Sequence, residues 1–298
     1  MSAQATALES TLLDCLPTIE EANPLATLHR AMHYAVLDGG KRVRPLLVFA
    51  TGALTNTAPA ALNHAAIAVE LIHAYSLVHD DLPCMDNDVL RRGKPTVHVK
   101  FGEAMALLAG DALQTLAFEI LSQTPLAAPQ VVALLRCLSQ ASGAAGMCGG
   151  QAIDLGSVGQ ALNRPALEQM HRLKAGALLR ASVQLGAICA NLNAAQQAAL
   201  DDYAAALGLA FQVVDDILDV EADTATLGKT AGKDADNDKP TYVSLMGLFA
   251  AKELAESLRQ QGHAALEKVA QSLNTSQPTE NPTERLAQLL DYVVQRQH

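Results

Sequence analysis

The stretch HDDLPCMDND, residues 79–88, sets Asp80, Asp81, Asp86 and Asp88 directly after the apolar run AAIAVELIHAYSLV. A second apolar run ends in FQVVDDILDV and carries Asp215, Asp216 and Asp219. On a helix of ~100° per residue, Asp215 and Asp219 share a face, one turn apart. Asp86 follows Asp80 by six residues, about 120° away around a continuous helix. Pro83 opposes such a helix and disfavours helical geometry at Leu82. Asp80 and Asp81 are therefore expected to close a helix, with Asp86 folding back from the connector.

Carboxylates at a helix C-terminus meet the negative end of its dipole, and like charges in contact raise one another's pKa. One such pair reads as a solvated acidic helix end or as the cap of the next helix. Two clusters, both trailing apolar helices, call for a counter-charge. Oxygen donors without a neighbouring Cys or His pair suit a hard cation, Mg²⁺ before Zn²⁺. Mg²⁺ keeps waters and commonly joins one or two carboxylates to phosphate oxygens.

The basic residues complete this pattern. GGKRVRP, 39–45, holds Lys41, Arg42 and Arg44 between two helices. Gly39 and Gly40 can end the first helix with positive φ, and Pro45 fits the first turn of the second. The cations then sit near a helix N-terminus, a natural anion site, although a solvated basic turn would read the same. Arg91 and Arg92 follow the first aspartate cluster. They could pair with it, and their forks also suit phosphate. Lys174, and Lys229, Lys233 and Lys239 in a polar stretch, add further cations. His73, Asp111, Gln151 and Gln212 are polar residues inside apolar helices, and His73 lies on nearly the same helical face as Asp80. An acidic chain that confines its cations to these spots looks built for a phosphorylated ligand bridged by Mg²⁺.

These residues must be positioned by helices. Of 298 residues half are apolar, 17% are charged and only 3% are aromatic, with no Trp, so the core is built from Ala, Leu and Val. Ala and Leu are strong helix formers, and strand-like alternation is scarce, which predicts an all-α fold. Helices are expected over 4–15, 24–37, 45–54, 59–79, 102–121, 129–147, 165–190, 195–220, 241–273 and 284–296. No break in composition divides the chain, so 1–298 reads as a single domain, with 222–240 a functional loop and 274–283 a linker to the last helix. A net charge of −10 argues against nucleic acid and anionic membrane surfaces. Five scattered cysteines without a C-x-x-C pair fit a reducing cytoplasm. The N-terminal residues show no secretory pattern, and no uninterrupted apolar stretch reaches the ~18 residues of a membrane span, so no stable membrane association is expected.

GGKRVRP, HDDLPCMDNDVLRRGKPTVH, AGDALQ, GGQAIDL, HRLKAGALLR, FQVVDDILDV and LGKTAGKD with KPTY, in this order, closely resemble bacterial farnesyl diphosphate synthases of the trans-isoprenyl diphosphate synthase family. The resemblance runs from about residue 20 to the C-terminus. It implies an all-α homodimer, each chain a single-domain bundle of ten or more helices around a central cavity. It implies Asp80, Asp86 and Asp215 as Mg²⁺ ligands, up to three ions per site, with Asp81, Asp216 and Asp219 supporting them. Gly40, Lys41, Arg44, His73 and Arg92 correspond to the isopentenyl diphosphate site, with Arg296 closing over it. Arg91, Lys174, Gln212, Lys229 and Lys239 correspond to the allylic diphosphate side. One departure is Ala175, where the family usually has Thr after the Lys.

The reaction this implies is head-to-tail condensation of isopentenyl diphosphate with dimethylallyl and then geranyl diphosphate, giving (2E,6E)-farnesyl diphosphate. In the family an aromatic five residues before the first Asp, together with the two inserted residues Pro83 and Cys84, goes with C15 products. Tyr75 is that aromatic. Helix arithmetic puts Ser76 about 40° from Asp80 and Tyr75 about 140° away, so Ser76 should lie beneath the metal and Tyr75 reach in from the side. The alternatives are a C20 synthase of the same family and a non-catalytic partner subunit, the latter expected to lose aspartates. A terpene cyclase would lack GGKRVRP.

Overall fold

The computed structural model describes residues 2–37, 39–159, 162–221, 241–273 and 281–296. In chain order these form α1 (Ser2–Cys15), α2 (Ala26–Val36), α3 (Val43–Gly52), α4 (Pro59–Asp80), α5 (Val97–Phe101), α6 (Glu103–Ser122), α7 (Ala128–Ser142), α8 (Met147–Gly156), α9 (Arg164–His171), a π-helical turn (Arg172–Gly176), α10 (Ala177–Cys189), α11 (Ala194–Glu221), α12 (Tyr242–Met246), α13 (Leu248–Ser272) and α14 (Glu284–Gln295). The strands among the described residues are β1 (Leu90–Arg91) and β2 (Lys94–Pro95), so the fold is all-α as expected. Two compact units are present, Met1–Leu46 with Ala58–Leu135 and Leu47–Thr57 with Arg136–His298.

In the first unit, α4 is apolar on every side, as a central helix must be. Pro59 starts it, and Ala61, Ala65, Ile67, Leu71, Ile72 and Val78 are all buried. α6 packs along it. Gly110 of α6 makes room for His79, because a Cβ there would stand 2.1 Å from His79 Nε2. His79 Nε2 in turn donates to the Leu107 carbonyl at 3.0 Å.

In the second unit, α11 and α13 pack along each other. Their core includes Leu167, Met170, Ala210, Val213, Val214, Ile217, Tyr242 and Leu258. Tyr203 Oη donates to the Leu286 carbonyl at 2.8 Å and docks α14.

Several sequence-derived boundaries change. The expected helix 165–190 is interrupted by the π-turn, whose backbone abuts Gly150; a Cβ on Gly150 would lie 2.2 Å from Lys174 N. The expected helix 241–273 divides at Gly247, which has φ +83°. α5 and the β1–β2 hairpin are too short to show a period, and α8, with Gly149 and Gly150 in its first turn, begins where the expected helix 129–147 ends. Three helical stretches, Pro59–Asp80, Glu103–Ser122 and Ala128–Gly156, are by length and mean composition apolar enough to cross a membrane, although polar and charged residues interrupt each of them. The first is 72% buried inside the protein, so its apolarity is that of a core helix.

Candidate active site

The first aspartate cluster is built by the end of α4. Asp81 caps the helix, with its N–H on the Leu77 carbonyl at 3.1 Å. Beyond Pro83 the chain reverses: Met85 N donates to Leu82 O at 2.8 Å, and Asn87, at φ +52°, donates to the same carbonyl at 3.1 Å. Asp86 N returns to Asp80 O at 2.9 Å. The sequence expectation that Asp86 folds back onto Asp80 thus has a defined backbone cause.

Asp81 behaves differently from its neighbours. Its carboxylate is buried and takes Arg91 in a fork, Nη2 to Oδ1 at 2.6 Å and Nε to Oδ2 at 2.9 Å. Burial raises its pKa, and Arg91 opposes that rise. Asp88 Oδ2 lies 4.0 Å from Arg91 Nη2. This pair anchors the hairpin, in which Leu90 faces Pro95 and Arg91 faces Lys94. Its two-residue turn, Arg92 at φ +54° and Gly93 at φ +73°, has the positive φ pair of a type I′ turn, whose twist suits a hairpin. Arg92 is thereby held at the tip.

The GGKRVRP turn separates its cations. Arg42, at φ +50°, points inward: Nη1 donates to Glu70 Oε1 at 2.6 Å, and Nη2 donates to Glu9 Oε1 and to Val36 O, each at 2.6 Å. It is a structural cation, while Lys41 is exposed and Arg44 half-buried. Gly40, at φ +93°, supports the Arg92 guanidinium, for a Cβ there would come within 2.8 Å of Arg92 Nη2. Burial, then Arg44, Arg92, Arg91 and Arg42, push His73 well below the ordinary histidine pKa and keep it neutral. Tyr75 is buried and meets His79 edge-on at 5.7 Å. Ser76 is half-buried, its hydroxyl donating to His73 O at 2.8 Å.

In the second unit, Asp216 and Asp219 are buried, and Asp215 is the open carboxylate, its side chain 39% exposed. Tyr242 N donates to Asp216 Oδ2 at 2.7 Å. Arg296 Nη2 reaches Asp215 Oδ1 at 2.5 Å and Phe211 O at 2.8 Å, with its guanidinium 4.0 Å over the Phe211 ring. Lys174 projects from the π-turn, a feature frequent at functional sites, and Nζ donates to Asp154 Oδ2 at 2.5 Å. Gln212 Nε2 donates to His171 Nδ1 at 3.0 Å. Lys229 and Lys239 lie outside the described residues. A groove of ≈ 700 Å³ lined by Glu168, Arg172, Arg180 and Lys268 includes none of the site residues expected from the sequence.

Asp154 and His171 are the partners that sequence reasoning missed. A buried carboxylate in GGQAIDL was the available signal for Asp154. His171 carried none, since its partner lies 41 residues away.

Among the described residues no three His, Cys, Asp or Glu side chains gather into a ready metal cluster. An all-carboxylate donor set still fits Mg²⁺, which needs only one or two protein carboxylates when phosphate and water complete its shell. Asp80, Asp86 and the open Asp215 offer carboxylates of this chemical type.

The polyprenyl synthetase family matches residues 25–275. The farnesyl diphosphate synthase of Escherichia coli is 52% identical over 272 residues, 89% of this chain and 88% of that protein. A crystal structure of an FPP/GFPP synthase from Zymomonas mobilis aligns with TM-score 0.84 at 39% identity, covering 97% of this chain and 95% of that one. A geranyltransferase from Helicobacter pylori, complexed with magnesium and isoprenyl diphosphate, aligns with TM-score 0.86 at 35% identity, covering 99% and 96%.

Proposed function

The chain belongs to the polyprenyl synthetase family, and on that premise we propose that it is a prenyltransferase of the farnesyl diphosphate synthase type. It joins isopentenyl diphosphate head-to-tail to dimethylallyl and then geranyl diphosphate, giving (2E,6E)-farnesyl diphosphate. The observation that carries this reading is the return of Asp86 N to Asp80 O, which folds the chain after Pro83 back onto the end of α4, next to an Arg91 anchored on Asp81.

Asp80, Asp86 and Asp215 would hold Mg²⁺, up to three ions per site, and when bound that charge stabilises the departing pyrophosphate. Lys41, Arg44 and Arg92 bind isopentenyl diphosphate, with Gly40 giving Arg92 its place. His73, kept neutral, offers a hydrogen bond without adding charge. Arg91 and Lys174 face the allylic diphosphate, each pre-set by a carboxylate, Asp81 and Asp154. Lys229 and Lys239 belong to the same side by resemblance. The allylic C–O bond breaks, and the double bond of isopentenyl diphosphate attacks the resulting cation. A proton then leaves to the released pyrophosphate. Apolar side chains of α4 exclude water that would quench the cation. Tyr75 and Ser76 limit the product to C15.

A homodimer is supported by the exposed apolar side chains Leu107 and Leu108 of α6 and Val132 of α7, which a second copy would cover. The free cysteines fit a reducing, cytoplasmic compartment. The deciding experiment incubates the purified chain with Mg²⁺, isopentenyl diphosphate and dimethylallyl diphosphate and sizes the product. A C15 alcohol after dephosphorylation is expected. No product would favour a partner subunit, and C20 would revise the role of Tyr75.

A further inference from the structure

Glu9 stands on α1 between Leu8 and Leu12, both buried, and α1 packs on α4. This helix precedes residues 25–275, the stretch shared with the polyprenyl synthetase family. Glu9 Oε1 accepts Arg42 Nε at 2.8 Å and Arg42 Nη2 at 2.6 Å. Arg42 also donates to Glu70 Oε1 of α4 and to Val36 O of α2, each at 2.6 Å. Its backbone stands at φ +50°, two residues after Gly40 at φ +93°. Glycine takes such a φ freely and arginine does not, so this turn needs the pinning its side chain receives from three helices. Arg42 O then accepts Leu46 N at 3.0 Å in the first turn of α3. Lys41 and Arg44 flank the pinned residue. Charge adds a second link. One guanidinium against two carboxylates, Glu9 and Glu70, leaves one negative charge in surplus beside the turn. Burial, then Arg42 and Arg91, push Arg92 below its ordinary pKa, while Glu70 and Glu9 oppose them. Cations crowd here, and Glu9 supplies part of the offset.

We propose that Glu9 is a positioning residue for isopentenyl diphosphate, acting through Arg42 on the turn that presents Lys41 and Arg44. It touches no substrate. It fixes the backbone from which the two flanking cations project, and it lessens the repulsion that their crowding with Arg42 and Arg92 creates. Without Glu9, Arg42 keeps Glu70 and Val36 O, so the fold survives. The Nε edge of the guanidinium then loses its acceptor and the turn loosens. α1 thereby serves the substrate site from outside it. The inference rests on the farnesyl-synthase reading for the identity of the bound anion, but not for the anchoring of the turn.

Two measurements test it. Hydrogen exchange at the Leu46 amide, whose acceptor is Arg42 O, reports the turn without any substrate. In Glu9→Ala it should quicken about tenfold while amides of α13 exchange as in wild type. Kinetics with dimethylallyl and isopentenyl diphosphates give the second readout. In Glu9→Ala the KM for isopentenyl diphosphate should rise about fivefold, with kcat and the allylic KM within about twofold. Glu9→Gln keeps an acceptor oxygen without the charge, so its Leu46 exchange should stay within about twofold of wild type and its isopentenyl diphosphate KM should rise only about twofold. Asp14→Asn removes a charge from an exposed position of the same helix and should leave both readouts unchanged. Wild-type Leu46 exchange or a wild-type isopentenyl diphosphate KM in Glu9→Ala would overturn the inference. Equal rises in both KM values would do so as well, since they mark general damage. A wild-type chain with no turnover would instead sink the functional reading, and Leu46 exchange would still decide whether Glu9 holds the turn.

Discussion

Arg296 Nη2 lies 2.5 Å from Asp215 Oδ1, so the end of the last helix closes on the one open carboxylate of the second cluster. The guanidinium stands where a cation would be wanted. Its side chain is only 6% exposed and also uses Phe211 O. In the role proposed for Asp215, this guanidinium would compete with Mg²⁺ for Oδ1.

Removing this competitor should help the metal. In Arg296→Ala, Mn²⁺ binding to the substrate-free protein, read by electron paramagnetic resonance, is expected to tighten roughly threefold. The KM for isopentenyl diphosphate should rise in the same variant. Unaltered Mn²⁺ affinity would mean that Arg296 does not compete at Asp215.

Gly40 leaves room for the Arg92 guanidinium. Gly40→Ala would force a Cβ within 2.8 Å of Arg92 Nη2 at φ +93°. A stability loss of about 1–2 kcal/mol is expected from the backbone alone. The displaced guanidinium should raise the isopentenyl diphosphate KM about tenfold and leave the allylic KM unchanged. Equal rises in both would argue for general damage.

Arg42 and Glu70 form a buried ion pair, with side chains 2% and 3% exposed. Glu70→Ala leaves Arg42 short of a counter-ion and should cost about 3–5 kcal/mol. The double variant Arg42→Met with Glu70→Met should recover much of this, and calorimetric melting can compare the two. A single variant as stable as wild type would show that Glu9 suffices.

Tyr75 fills space in the wall of α4 against His79. Tyr75→Ala should open a cavity, cost about 3–5 kcal/mol and lengthen the product beyond C15. Chromatography of the dephosphorylated products decides, and an undiminished C15 yield without longer chains would release Tyr75 from the role.

Ala175 stands in the π-turn beside Lys174 where the family usually has Thr. A hydroxyl there would add a dipole near the developing cation. Ala175→Thr is expected to raise kcat about threefold with KM little changed. A flat kcat would remove this position from the chemistry.

The sequence by itself determined the all-α class, the two aspartate clusters and the break at Pro83, because helix periodicity and proline geometry act over a few residues. It placed Asp80 and Asp86 together for that reason. It could not separate Arg42 from Lys41 and Arg44. Three cations in one turn look alike until Glu9 and Glu70 reach Arg42 from 33 and 28 residues away. It likewise could not show that Arg91 is anchored on Asp81, that Lys174 is held by Asp154, or that His171 meets Gln212. Those pairings belong to the tertiary structure. Burial there strips water from each polar group, and the nearest partner in space, rather than in sequence, sets its charge and direction.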